Sequence, residues 1–325
     1  MVRTQVGVLR GGTSHEYEVS LATGGSVLKH LPAIYRGHDI LIDRVGVWHW
    51  NGLPTAPEQI ARQMDVFFNA LHGEYGEDGK VQSVLEQLAV PYTGSEVVPS
   101  ALGMNKVLAK EIFRRTGLRV PTEVIFRVAG DLSSLVEVAA RQVFNKISPP
   151  WIVKPADRGS SVGLVLAKTF SQLVVALNTV KKFSRLILVE AYLRGREATC
   201  GVVDNFRGHD TYALPPIEIR PPAKRPVWNY EDKYSGATQE ICPATFSEAE
   251  KHEIEKLAVA AHRALGLRHY SRSDFILTSH GIYLLETNSL PGLTSESLLP
   301  KALAAVGCPY PHFLDHVLTL ALAGE

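Results

Sequence analysis

Residues 271–288, SRSDFILTSHGIYLLETN, hold two apolar runs on either side of Thr278–Gly281, the pattern of an antiparallel hairpin. With Ser279–Gly281 as the loop, Thr278 pairs with Ile282, Asp274 faces Glu286 and Arg272 faces Asn288. Period-two alternation puts Arg272, Asp274, Glu286 and Asn288 on one face. Directly opposed Cβ atoms lie ~4.5–5.5 Å apart, so two carboxylates there repel unless a cation sits between them. The hard oxygens of Asp274, Glu286 and Asn288 suit Mg²⁺ or Mn²⁺ completed by phosphate and water. The other arrangement these residues allow is a solvated face on which Arg272 screens both acids. The apolar context and the Pro291-Gly292 turn that follows favour the metal.

In WIVKPADRGSSVG (151–163) an apolar strand delivers Lys154, Pro155 breaks it, and Gly159-Ser160-Ser161-Val162-Gly163 forms a loop. Its backbone N–H groups and the Ser160 and Ser161 hydroxyls can cradle phosphate oxygens, with Lys154 as countercharge. A glycine-serine turn that only reverses the chain would read the same way, and the P-loop pattern is absent. GGTSHEYEVS (11–20) sets Gly11-Gly12 at a strand end with Glu16 and Glu18 entering a helix. No GxGxxG is present and acids repel a pyrophosphate, so a carboxylate here suits an ammonium; acids favoured by the helix dipole are the alternative. His72 in LHGEYGEDG is a ligand-positioning or a structural histidine. Glu190 and Leu193 in LVEAYLRGREATCGV end a strand where carboxylate and backbone can read an adenine edge and a ribose. Glu197 is a second ribose or metal partner, or both acids are surface groups. Lys233 and Tyr234 in NYEDKYSG lie in a glycine-flanked loop able to close as a lid, or merely polar.

The elements that must position these residues alternate. QVGVLRGG, DILIDRVGVWHW and MDVFFNAL read as strands; EVSLATGGSVLKHL and GKVQSVLEQLAV, the latter ended by Pro91, read as helices. This predicts an α/β fold with a mostly parallel, doubly covered sheet. SALGMNKVLAKEIFRRTGL reads as one helix closed by Gly117. WIVKP, LVLAK and RLILVEAYL are strands around a helix near 171–182, and from Glu197 the pattern turns strand-rich. The prolines from Pro215 to Pro226 argue against central strand there. SEAEKHEIEKLAVAAHRALGL is a helix with a Ser247–Glu250 capping box and a Gly266 stop.

A length of 325 residues favours two or three domains. Lys+Arg 34 against Asp+Glu 33 leaves +1, so no bulk field recruits nucleic acid or an acidic membrane, and any bound anion is held locally. Three widely spaced cysteines, Cys200, Cys242 and Cys308, argue against a disulfide framework or a cysteine zinc site. No apolar run approaches the ~18 residues of a membrane span, and the N-terminus has no signal-peptide core. A soluble cytoplasmic protein is expected.

Taken in order, GGTSHEYEVS, LHGEYGEDG, PYTGS, SALGMNK, VKPADRGSSVG, EAYLRGRE, ALPPIEI, DKYSGAT, CPA, RSDF and LLETNSLPGLTSESLLP strongly resemble D-alanine–D-alanine ligases, which are ATP-grasp enzymes. The resemblance runs from about Val6 to about Leu320. It implies a three-domain ATP-grasp architecture: a Rossmann-like N-terminal domain over 1–105, a central domain over 106–197 and a C-terminal domain over 198–325. ATP with two Mg²⁺ or Mn²⁺ ions would lie between the last two. The implied reaction joins two D-alanines through an acyl phosphate, releasing ADP and phosphate, for peptidoglycan precursor synthesis. By motif, Glu16 would hold the first ammonium in a set with Ser160 and Tyr234, and His72 would stand behind it. Arg272 and the Gly292 N–H would form the oxyanion site. Ser297 and the Leu298 N–H would hold the second carboxylate. Lys106, Lys154, Ser160, Ser161, Glu190, Leu193, Glu197 and Lys233 fall at nucleotide positions, and Asp274, Glu286 and Asn288 at metal positions. A homodimer is implied. Departures are Ala191 where some relatives carry lysine, Ser83 for glycine, Asn105 for aspartate and Ser273 for an apolar residue. The tyrosine at 234, where D-lactate-using relatives carry phenylalanine, favours amide formation. The alternatives are a ligase with another acceptor and a nucleotide-binding protein without turnover.

Overall fold

The computed structural model describes residues 3–127, 136–157, 163–221 and 238–324. Strand β1 (Thr4–Gly11) is an interior strand of a five-stranded sheet. Val6, Val8 and Leu9 are fully buried, as a parallel strand covered on both faces requires. Helix α1 (Tyr17–His30) crosses to β2 (Tyr35–Ile42), which lies parallel to β1. On the far side of β1, β5 (Val66–Asn69) is also parallel. β3 (Trp48–Trp50) and β4 (Leu53–Pro54) add an antiparallel edge, giving the order β4-β3-β2-β1-β5. Parallel pairing is therefore confined to three strands of this sheet. α2 (Pro57–Ala61) precedes β5 and α3 (Lys80–Gln87) follows it. The stretch DILIDRVGVWHW is two strands, because the Asp43 carboxylate accepts from Val45 and Val47 N–H and Gly46 turns the chain at φ +90°. At the end of β1, a Cβ on Gly11 would stand 2.3 Å from the Ile42 carbonyl, so only glycine lets the chain turn into the loop carrying Glu16.

The single helix expected over 100–118 is two: α4 (Val97–Met104) and α5 (Lys106–Arg115). Asn105 adopts an extended backbone and its side-chain oxygen accepts from Val107 and Leu108 N–H, capping α5 more effectively than it would continue α4. The Lys106 N–H donates to the Ala156 carbonyl at 3.0 Å. That bond ties the start of α5 to the second sheet. This sheet, ordered β6-β9-β7-β8, is antiparallel throughout: β6 (Glu123–Arg127), β7 (Trp151–Pro155), β8 (Val165–Ala167) and β9 (Leu186–Ala191). α6 (Val136–Lys146) and α7 (Phe170–Val180) pack on it around Trp151, Val143, Leu173 and Val189, a core drawn from this segment alone.

The third sheet follows the order β13-β12-β10-β14-β15, with β11 paired to β10. Its strands are β10 (Arg196–Phe206), β11 (His209–Ala213), β12 (Ile217–Arg220), β13 (Gln239–Ile241), β14 (Tyr270–Thr278) and β15 (Gly281–Asn288). β12 is an interior strand within the proline-rich stretch: Pro215 and Pro216 precede its four residues and Pro221 follows, so no proline interrupts its ladder. α8 (Glu248–Ala264) begins at the expected capping box and stops before Gly266, whose φ is +66°. Its core also takes in Ala109 and Phe113 of α5. α9 (Leu298–Ala305) and α10 (Tyr310–Ala323) close the chain, and Phe313, Leu314 and Val317 pack with Val6, Val8 and Phe68 of the first sheet. The first and third segments thus share one core. Losing the α5 cap by Asn105→Ala should cost about 1 kcal/mol in urea unfolding, whereas Asn105→Asp, which keeps an acceptor, should cost little.

Candidate active site

Asp274 stands opposite Glu286 and Arg272 opposite Asn288, as the alternation requires. The turn itself differs from expectation: Thr278 pairs with Gly281, so the loop is only Ser279-His280. Phe275 then pairs with Leu284, leaving Leu285 as a bulge that restores the register before the acids. Arg272 forks onto Asp274, Nε to Oδ1 at 3.1 Å and Nη2 to Oδ2 at 3.2 Å. Thr199 donates to the same Oδ1 at 2.6 Å. Glu286 is served by another cation, Lys106, at 2.9 Å. The Asn288 amide oxygen accepts from the Leu290 N–H at 2.9 Å, which fixes its orientation. The side chains of Arg272 and Asp274 are only 13% and 12% exposed, so this is not a solvated face.

Among the described residues no three His, Cys, Asp or Glu side chains gather as a metal cage. Two opposed carboxylates and a fixed amide oxygen nevertheless fit a hard divalent cation that takes its remaining ligands from phosphate and water. The cations now paired with both acids show that the acids demand positive charge at this spot.

Beside this hairpin lies a cavity of about 540 Å³, within the ~300–1,000 Å³ of small-molecule sites. The second sheet supplies one wall through Ile152, Lys154 and Glu190, with Leu193 just beyond β9. The third supplies the other through Glu197, Ile276 and Leu285, and Lys106, Asp274 and Glu286 also face it. Apolar walls with a cationic and an acidic end suit a flat base carrying phosphates. Glu190 is 3% exposed; one oxygen takes Lys110 Nζ and the other Lys154 Nζ at 2.8 Å. Burial opposes the carboxylate's charge, but the two ammonium groups outweigh it and hold its pKa down at about 2. Burial likewise works against the Lys154 ammonium, and Glu190 and Glu286 more than offset it, raising its pKa.

A smaller pocket of about 40 Å³ shares Lys106 and Glu286 with the large one and is also lined by Glu16, Glu77 and Asn288. Glu16 is brought there by Ser14, whose hydroxyl accepts from the Glu16 N–H and donates to the His72 carbonyl. A Cβ on Gly73 would stand 2.8 Å from Glu16 Oε2, so the two loops meet closely. His72 is buried, with Nε2 on Thr23 at 2.9 Å and Nδ1 3.6 Å from Glu77. It supports the loop as a packed residue. A Cβ on Gly292 would meet Ser297 Oγ at 2.8 Å, and that hydroxyl bonds Thr294 rather than capping α9. Leu298 is the first residue of α9. Ser160, Ser161, Lys233 and Tyr234 lie outside the described residues.

The family model for the D-ala D-ala ligase C-terminus matches residues 112–319, and that for the N-terminus matches residues 52–95. The chain belongs to the D-alanine–D-alanine ligase family. It is 39% identical to the D-alanine–D-alanine ligase of Desulfotalea psychrophila over 98% of this chain and 95% of that one. Among solved structures it resembles a D-Ala:D-Ser ligase from Enterococcus faecalis (26% identity, TM-score 0.85, 98% of this chain and 100% of that one). It also resembles the D-alanine–D-alanine ligase of Bacillus anthracis complexed with ATP (29% identity, TM-score 0.79, 99% and 98% covered). The mixed α/β architecture of this ligase family is the one described above.

Sequence reasoning missed several residues that this ligase places at or under the site. Lys110 lies four residues after Lys106 on α5, a spacing that puts both on one helix face and so was a usable signal. Glu77 was passed over beside His72. Glu218 and Arg220 line the cavity from β12, within the stretch whose prolines argue against central strand. Membrane-spanning character is absent from every helix of the described residues. The depressed Glu190 carboxyl has a signed consequence. A group whose pKa falls from 4.5 to about 2 on folding adds stability that is complete above about 4.5 and is lost as the pH falls through about 2. Thermal stability should therefore decline more steeply over that window in the wild type than in Glu190→Gln; parallel declines would show that the carboxylate is not held ionised.

Proposed function

We propose that the large cavity holds ATP and the small pocket the first D-alanine, with Lys106 and the Asp274–Glu286 pair at their junction. The observation that carries this reading is that junction: two opposed acids and a lysine where a nucleotide cavity meets a pocket containing Glu16. The enzyme is an ATP-dependent ligase that joins two D-alanine molecules for peptidoglycan precursor synthesis. The first substrate's carboxylate attacks the γ-phosphate, giving an acyl phosphate and ADP. The second substrate's amine then attacks the acyl carbonyl, and phosphate leaves with both electrons of the C–O bond.

Glu16 binds the first ammonium, held in place by Ser14 and the His72 loop. Lys106 and Lys154 bind phosphate oxygens, joined by Lys233 and by Ser160 and Ser161. Leu193 and Glu197 bind the base and ribose from the rim, and Glu190 fixes Lys154. Arg272, oriented by its fork onto Asp274, and the Gly292 N–H stabilise the oxyanion of the tetrahedral intermediate. Ser297 and the Leu298 N–H hold the second carboxylate at the start of α9, and Tyr234 completes the set with Glu16 and Ser160. Asp274, Glu286 and Asn288 would hold Mg²⁺ or Mn²⁺, two ions in all, which when bound neutralise developing charge on the phosphate oxygens. A homodimer and a cytoplasmic location belong to the same proposal and rest on the family.

Phosphate release from ATP and Mg²⁺ should depend on D-alanine, with L-alanine silent and the dipeptide seen by mass spectrometry. A panel with D-serine and D-lactate tests the acceptor; D-serine preferred over D-alanine would move the chain to the activity named for its Enterococcus neighbour. Glu286→Gln should lose turnover by about a hundredfold or more, the scale of removing one preorganised electrostatic partner, while remaining folded. Near-normal activity in that variant would undo the metal assignment.

A further inference from the structure

We propose that Lys110 is a positioning residue for ATP, giving the Lys154–Glu190 pair the net positive charge that the phosphates meet. The proposal rests on the reading that Lys154 faces those phosphates. Lys154 lines the cavity, but its ammonium is committed to Glu190 Oε2 at 2.8 Å. A lysine paired with a carboxylate is neutral as a unit and offers a polyanion little. Lys110 changes that balance. It is 1% exposed, lies behind Glu190 rather than along the cavity, and donates to Glu190 Oε1. Burial lowers the Lys110 pKa, and Glu190 and Glu123 offset part of that. With Lys110 as an ammonium, two ammonium groups against one carboxylate leave one positive charge, and Lys154 is the lysine of the trio that lines the cavity.

The surroundings make Lys110 the source of that charge. Strand β9 carries Ala191 after Glu190 and no cation of its own. The neighbouring acid, Glu123, is 3.8 Å from Lys110 and already bonded to Arg114, so that pair cancels within itself. Lys110 is also well placed to act through position. It follows Lys106 by one helical turn on α5, whose first N–H is bonded to the Ala156 carbonyl just past β7. The same helix thus presents one lysine to the metal-side acid and another to the acid beneath Lys154.

A merely structural lysine would neutralise buried acids and nothing more, and kinetics can tell the two roles apart. The variants are Lys110→Met, Lys110→Gln and Lys154→Met. Lys110→Gln keeps a donor towards Glu190 without the charge, and decides the matter if Lys110→Met does not fold. In both Lys110 variants the KM for ATP should rise about tenfold or more, with the KM for D-alanine changed less than about twofold. The inhibition constant of adenosine, which has no phosphate, should not move. An unchanged KM for ATP in a folded Lys110 variant, or equal losses for ATP and adenosine, would overturn the proposal. Lys154→Met keeps the two readings distinguishable. If it raises the KM for ATP while the Lys110 variants do not, Lys110 alone loses its role. If it leaves that KM unchanged, the assignment of Lys154 to the phosphates fails and the proposal falls with it.

Discussion

Two carboxylates on directly opposed residues of an antiparallel pair repel by roughly 3 kcal/mol at about 5 Å and an effective dielectric constant of about 20. Asp274 and Glu286 are placed this way, and much of the site follows from how the molecule tolerates it. One acid takes Arg272 from its own strand; the other takes Lys106 from a helix that begins in another part of the chain. Lys106 reaches that position because Asn105 breaks the preceding helix and because its own N–H is bonded to Ala156. The repulsion therefore binds the third sheet, α5 and the second sheet into one arrangement. A ligand that brings its own cations can replace Lys106 on Glu286 and release it to bind an anion.

The opposite wall carries the complementary design. Glu190 is the only acid of β9 and is enclosed by Lys110 and Lys154. The hairpin wall thus gives each of its two acids one cation, whereas this wall sets two ammonium groups on one acid. Under the proposed function, Asp274 and Glu286 would face a divalent metal and Lys154 the phosphates.

How much of this was legible in the sequence depends on the range of the interaction. The Ser247–Glu250 capping box and the Gly266 stop are set by residues a few positions apart, and both were readable. The opposition of Asp274 to Glu286 was readable too, but for a partly mistaken reason. The turn is one residue shorter than expected, and the bulge at Leu285 supplies the missing residue. Periodicity alone does not reveal a bulge. Leu284 goes into the core, while Leu285 and Glu286 both face the cavity, which only the packing of Leu284 against its neighbours dictates. The break at Asn105 was hidden because the apolar spacing of two short helices continues across it. Lys110 is legible as a lysine on the face of α5 that carries Lys106, but its partner Glu190 is 80 positions along the chain and is not.

The cores show why the cavity lies where it does. The second sheet and its helices bury Trp151, Val153 and Val189 among residues of their own segment. The first sheet instead shares its core with α9 and α10 at the other end of the chain, and α5 packs with α8. What meets across the seam between the second sheet and the rest is therefore not a packed core but the walls of the cavity, apolar at Ile152, Ile276 and Leu285 and charged at Lys106, Glu190, Glu197, Asp274 and Glu286. The charged part of that lining resists closure by hydrophobic contact, because desolvating ions is costly. The seam is closed most favourably by a ligand that is itself charged in alternation and flat at one end. The fold positions the chemistry by leaving this one interface without an apolar core.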